Sequence, residues 1–257
     1  MMMLINTGIL FLRDALPLFI LLAILLSFWQ HCGRSIAIGC AVGLVVTTLI
    51  VEEHNMVSEY FEGAGYELLQ CLTLIAAFSL SAILLSTGNL LGRHCPKLVI
   101  TLLVAFTVIP HSANFSVFLV GFVSQKDALT PILVGTLLGG GICASVAVLL
   151  NLLLTSLKQT FSSQLMFAIF AAGQVSNCTI LLQQIDWLPD PGALWNSQFI
   201  SDESEYGHLL KALIGYEAAP SSIYLAVYAT ALMLLLSIAF YARQHGLTQQ
   251  TKSQSTS

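Results

Sequence analysis

Charge is what this chain has least of. Only 9% of its 257 residues are Asp, Glu, Lys or Arg, against roughly a quarter in soluble domains. Nine basic residues against 13 acidic ones give a net charge of −4, so no basic patch exists for nucleic-acid phosphates. The six cysteines, Cys32, Cys40, Cys71, Cys95, Cys143 and Cys178, contain no CxxC pair and mostly fall in apolar runs. They read as small buried residues, with no disulfide or zinc framework. Walker A, HExxH and GxSxG sequences are missing too, so ATP hydrolysis and the common hydrolase chemistries lack their residues and no enzyme is expected. What fills the chain is apolar: 56% of residues are hydrophobic and the mean hydropathy is +0.85. The expected fold class is an all-α polytopic membrane protein.

A helix needs roughly 20 apolar residues to cross a bilayer. Seven runs qualify, at 4–29, 35–51, 65–85, 98–123, 129–155, 162–185 and 221–241. The first is too long for a signal-peptide core and lacks a basic leader, so it is expected to remain in the mature protein. The odd-numbered loops and the C-terminal tail hold Arg34, Arg93, Lys97, Lys158, Arg243 and Lys252. The even-numbered loops hold only Lys126 and Lys211, with 12 of the 13 acids. Basic residues collect on the cytoplasmic side, which places the C-terminus in the cytoplasm and the N-terminus outside, in the cytoplasmic (inner) membrane. Residues 1–241 make one transmembrane domain. The acidic 186–220 connection is an outer loop whose Trp187, Trp195 and Tyr206 can rest at the interface, and 242–257 reads as a disordered tail.

Two spans carry residues that do not belong in lipid. Span one holds Arg13-Asp14 followed by Pro17, and span four holds Pro110-His111-Ser112-Ala113-Asn114. Residues adjacent on a helix do not face each other, so Arg13 and Asp14 are each expected to find a partner elsewhere, in a structural ion pair or a functional site. His111 and Asn114, three apart, share a face; they either bond a neighbouring helix or line a cavity. Each proline removes a helix hydrogen bond and is expected to kink its span. Three spans separate the two interruptions, so the copies run in opposite directions, as in a 3+3 inverted repeat (about 4–85 and 98–185) with a seventh helix appended. In such repeats the site lies at the midplane.

Other clusters are open to two readings. Glu52, Glu53, His54, Glu59, Glu62 and Glu67 bridge spans two and three, as a solvated loop or as a mouth that gathers cations. Gly135, Gly139, Gly140 and Gly141 fit close helix packing. Gln174, Asn177, Gln183 and Gln184 suit either a pore lining or interhelical hydrogen bonds.

Three stretches resemble the oxidase-coupled, high-affinity iron permeases of fungi and their EfeU-like bacterial relatives. Phe11-Leu12-Arg13-Asp14-Ala15-Leu16-Pro17 lies where that family has Arg-Glu-Gly-Leu-Glu. Glu59-Tyr60-Phe61-Glu62-Gly63 is similar to its Glu-Leu-Phe-Glu-Gly. The segment from Leu194-Trp195-Asn196-Ser197 through Ser201-Asp202-Glu203-Ser204 and Leu209–Tyr216 to Pro220-Ser221 is similar to the words before its last helix. The resemblance implies seven spans, an outside N-terminus, and a metal site between spans one and four. The family's four Glu positions read Asp14, Pro17, His111 and Asn114 here. An imidazole and an amide suit softer divalent ions better than Fe³⁺.

The function expected is transport of a metal cation, iron on the resemblance, as cargo and without a permanently bound cofactor. Asp14, His111 and Asn114 would bind it, Arg13 would gate or balance charge, and Glu59, Glu62, Glu52, Glu53 and His54 would gather it. An external oxidase or metal-binding protein is the implied partner. The alternative is a non-transporting relative that serves as a subunit or regulator of a metal-uptake complex.

Overall fold

The structure is a computed structural model that describes residues 2–86, 96–123, 129–157, 160–197, 200–202 and 204–254. In chain order the helices are α1 (Met2–Phe28), α2 (Gly33–Glu52), α3 (His54–Glu59), α4 (Gly65–Ser86), α5 (Lys97–Val123), α6 (Leu129–Leu157), α7 (Thr160–Gln184), α8 (Glu205–Ile214) and α9 (Ser222–Gln254). All but the short α3 and α8 are long and apolar enough to cross a membrane, seven among the described residues. Apart from the C-terminal end of α9, their bounds fall within a few residues of the apolar runs, because the bilayer's thickness dictates run length. No strand occurs among the described residues; one antiparallel bridge joins Ala193 to Ser221. The chain is an integral membrane protein of all-α class.

α1 and α7 form the middle of the bundle. Leu16, Ile20, Leu21 and Ile24 of α1 and Phe167 and Ala168 of α7 are fully enclosed. In α7, 61% of the apolar window is buried, against 17% in α6, so α6 turns most of its surface outward. Two helix pairs pack by small-residue seams. α2 lies on α5, where a methyl group on Gly39 or Gly43 would stand 2.6 Å from Thr101 O or Val108 Cβ. One turn further, Thr47 and Ser112 share a hydroxyl hydrogen bond of 2.8 Å. α6 lies on α1 in the same manner, with Gly135 against Leu4 O at 2.7 Å and Gly139 against Gly8 O at 2.9 Å. Small residues let helix backbones approach where there is no hydrophobic drive between them.

Several expectations change. α1 and α5 each stay one continuous helix through Pro17 and Pro110, so neither span is interrupted by a non-helical segment. The last helix does not stop at Tyr241; it continues to Gln254, through a segment that holds no proline to end it. Cys32 is disulfide-bonded, while Cys40, Cys71, Cys143 and Cys178 are free. The six cysteines are therefore not all isolated thiols. Arg93, Lys126, Lys158 and Glu203, used above to orient the chain, lie outside the described residues, as does the side chain of His54.

The largest change concerns the 186–220 connection, which folds back into the bundle. Ser204 caps α8 by accepting from Gly207 N at 3.0 Å, and Gly215 ends it in the left-handed region at φ 69°, a conformation glycine adopts without strain. Gly215 meets Gly173 backbone to backbone. Gly173 is the central residue of the apolar window Ser162–Gln184, so α8 reaches half the depth of the bundle. From α9, Tyr228 and Tyr224 donate to the carbonyls of Ile214 and Gly215, both at 2.9 Å. The last carbonyl of α8 and that of Gly215 beyond it are thereby satisfied.

Candidate functional site

A cavity of about 700 Å³ opens between α1, α4, α5, α7 and α8. It brings together Arg13, Asp14 and Pro17 of α1 with Pro110, His111 and Asn114 of α5, the two polar interruptions. The helices touch beside it, where Phe11 and Phe115 meet edge to face at 5.0 Å. Pro17 has no N–H, so the carbonyl of Arg13 loses its helical partner at the wall.

The site residues are mostly engaged with protein. Arg13 Nε donates to Asp14 Oδ1 at 2.9 Å and Nη2 to Oδ2 at 3.4 Å. The expected separate partners are therefore replaced by a neighbour pair: the long guanidinium arm curls over the adjacent carboxylate. Asp14 is buried while Arg13 stays half exposed. His111 Nε2 faces Gln174 Oε1 at 3.0 Å; the amide oxygen can only accept, so Nε2 carries the proton and Nδ1 the lone pair. Asn114 Oδ1 accepts from Gln70 Nε2 at 2.8 Å and from Tyr66 OH at 3.1 Å. Both lone pairs are used, which leaves Asn114 without the free oxygen a metal ligand needs.

Tyr66 and Gln70, which the sequence did not single out, complete the walls with Glu67 of the acidic cluster and three of the amides for which a pore lining was one reading. α4 contributes Tyr66, Glu67 and Gln70, and α7 contributes Gln174, Asn177 and Gln184. Glu67 Oε2 and Asn177 Oδ1 are closed to solvent and have no hydrogen-bond partner. An unpaired buried acceptor of this kind costs about 1–3 kcal/mol. Asp202, His208 and Lys211, expected outside the bundle, also face the cavity. Lys211 Nζ pairs with Glu217 at 2.6 Å, and Asp202 Oδ1 accepts from Ala218 N at 2.8 Å. Burial, then the charges of Arg13 and Lys211, hold His208 below the usual imidazole range. Burial raises Glu217 against the opposing pull of Lys211.

Of the described side chains of the acidic cluster, Glu67 alone lines the cavity. Glu52, Glu53, Glu59 and Glu62 are exposed at the end of the bundle where α4 begins. There Phe61, held at φ 54°, meets Trp187 edge to face at 6.4 Å, tying the acidic turn to the 186–220 segment. Gln183 does not line the cavity; its Nε2 donates to Pro189 O and Ser221 Oγ, each at 3.3 Å. Among the described residues no three His, Cys, Asp or Glu side chains come together to hold a metal ion. The chain matches no protein-family model, no curated protein and no solved structure.

Proposed function

We propose that the chain is a cation transporter of the iron-permease type, in which the cation passes through the cavity between α1 and α5. The observation that carries this reading is the cavity itself, whose walls bring the carboxylates of Asp14, Glu67 and Asp202 together with the two polar interruptions of α1 and α5. With three carboxylates against the two cationic side chains of Arg13 and Lys211, the lining favours a positive ligand over an anion. Iron as the cargo rests on the resemblance of the Arg13–Pro17 and Leu194–Ser221 stretches.

The inverted repeat is supported by an exchange of partners. α2 rides on α5 through Gly39 and Gly43, and α6 rides on α1 through Gly135 and Gly139. Swapping the first three spans for the next three turns one contact into the other. In this reading the N-terminus is outside and the C-terminus in the cytoplasm of the inner membrane, as the basic residues indicate. The disulfide of Cys32, at the end placed in the cytoplasm, pulls the other way, because cytosolic thiols are kept reduced. Alternating access would proceed by rocking the repeats about the cavity.

A second reading, a relative that has given up transport, draws on Asn114, whose oxygen is spent on Gln70 and Tyr66, and on the described residues, which bring no three His, Cys, Asp or Glu side chains together. Metal uptake into proteoliposomes separates the two. We expect the wild type to take up a metal from the set Fe²⁺, Fe³⁺, Cu²⁺, Zn²⁺ and Mn²⁺, and Asp14→Ala to lose it. Folded wild-type protein that moves none of them would overturn the transport reading in favour of the second.

A further inference from the structure

We propose that Gln174 is a positioning residue: it holds the His111 ring so that Nδ1 serves as the nitrogen ligand for the cation, and the site thereby selects imidazole-binding divalent ions over hard ones such as Mg²⁺. The proposal rests on the cation-transport reading and names the class of ion that the same cavity takes.

His111 Nε2 and Gln174 Oε1 stand 3.0 Å apart between α5 and α7. With the amide oxygen as acceptor, Nε2 carries the ring's proton, and the lone pair lies on Nδ1 at the other side of the ring. Among the described residues Nδ1 has no hydrogen-bond partner, and it is not one of the partnerless atoms closed to solvent, as Glu67 Oε2 and Asn177 Oδ1 are. A nitrogen with a free lone pair is therefore open to the cavity that His111 lines. Both backbones are pinned at this level. α5 is held beside His111 by the Thr47–Ser112 hydroxyl bond of 2.8 Å. α7 is held beside Gln174 by the contact of Gly173 with Gly215. Gln174 itself is 6% exposed, so its amide has little freedom to leave the ring.

A neutral imidazole suits Fe²⁺, Ni²⁺, Cu²⁺ and Zn²⁺, whereas Mg²⁺ and Ca²⁺ take oxygen ligands. In most imidazole–metal sites the ring nitrogen that does not bind the metal donates to a fixed acceptor, which sets both the tautomer and the direction of the ring. Gln174 supplies that acceptor here. An apolar residue in its place leaves the Nε2 proton unpaired and frees the ring to turn, or to carry its proton on Nδ1 and lose the lone pair there. The lining carboxylates attract any dication; the imidazole nitrogen decides between dications.

Proteoliposomes of the full chain are assayed for Fe²⁺ and Zn²⁺ uptake with Ni²⁺ or Mg²⁺ as competitor. We expect Ni²⁺ to inhibit at far lower concentration than Mg²⁺. Gln174→Leu should shrink the ratio of the two inhibitory concentrations by roughly 10–100-fold. Gln174→Glu, which keeps an acceptor for the Nε2 proton, should preserve it. Pulsed electron paramagnetic resonance of the Cu²⁺-loaded wild type should show a remote imidazole nitrogen that His111→Ala loses. Its quadrupole splitting should shift in Gln174→Glu, because a carboxylate accepts more strongly than an amide. A folded Gln174→Leu protein with the wild-type ratio overturns the positioning role. So does a Cu²⁺ spectrum without the remote nitrogen, or a splitting that residue 174 does not move, and these two outcomes hold whether or not the Leu variant folds. Uptake of Mn²⁺ without Fe²⁺ or Zn²⁺ overturns the inference while transport stands. Folded wild type that takes up no metal removes the transport reading and this inference with it.

Discussion

Gly173 and Gly215 touch through their backbones: a methyl group on Gly173 would stand 2.8 Å from the Cα of Gly215, and one on Gly215 would stand 2.6 Å from that of Gly173. This contact fixes how far α8 descends along α7, and so sets the floor of the cavity. Gly173→Ala should push α8 outward and cost about 1–3 kcal/mol by overpacking. Thermal unfolding in detergent measures it. A Tm equal to wild type would mean that α8 is not seated there.

Asn114 serves as a shared acceptor for Tyr66 and Gln70. Asn114→Ala leaves both donors without a partner and should destabilise the bundle by about 1–3 kcal/mol. Asn114→Asp keeps the acceptor and adds a negative charge, so stability should hold while half-saturating cation concentration falls. If Asn114→Ala lost cation binding with no loss of stability, Asn114 would be a direct ligand and the hydrogen-bond assignment would be wrong.

Arg13 neutralises Asp14 at the wall. Replacing Arg13 with Gln frees the carboxylate and should strengthen cation binding several-fold, whereas Asp14→Asn should weaken it. Paired calorimetric titrations of the two variants with Mn²⁺ read the sign. Weaker binding in both would assign Arg13 a structural role only.

His208 is depressed by burial and by Arg13 and Lys211, with Asp14 and Asp202 opposing. Its folded pKa lies below the unfolded one, so the neutral ring's contribution to stability is complete above about pH 6.5. That contribution disappears as pH falls through the lower folded value. Tm should drop between about pH 7 and pH 5, and His208→Gln should flatten the drop. An unchanged acid limb in that variant would place the titration elsewhere.

Arg34 and Cys32 give opposing indications of sidedness. With the C-terminus in the cytoplasm, a membrane-impermeant reagent applied to intact cells should label a cysteine introduced at Glu59 and should miss one introduced at Gln249. The reverse pattern inverts the topology and puts the Cys32 disulfide on the oxidising face.

The spans were legible because a bilayer enforces one length and one composition on every crossing. Asp14 and His111 were legible for the same reason, since an ionisable side chain in an apolar run announces its cost. Glu67 was legible only as one of an acidic cluster, because it stands at the start of α4, where a carboxylate near water is ordinary and nothing separates it from Glu52, Glu53, Glu59 and Glu62. α8 was hidden by its charges. Glu205, His208 and Lys211 read as a surface loop, and only the packing of Gly215 on Gly173 reveals that this amphipathic turn lies inside. The Gln174–Asn177 pair gave a signal, two amides one turn apart within α7, but sequence does not distinguish an amide facing a cavity from one facing a helix. The Arg13–Asp14 pair shows the limit of helical-face reasoning for a side chain long enough to bend back over its neighbour.

The tyrosines of α9 also impose an order on biogenesis. α8 carries too few apolar residues to partition into lipid alone, and its terminal carbonyls are capped by Tyr224 and Tyr228 from the helix that follows. The carbonyls that end α8 therefore meet these two donors only once the last helix is in place, so the seat of α8 is completed by the part of the chain that is made after it.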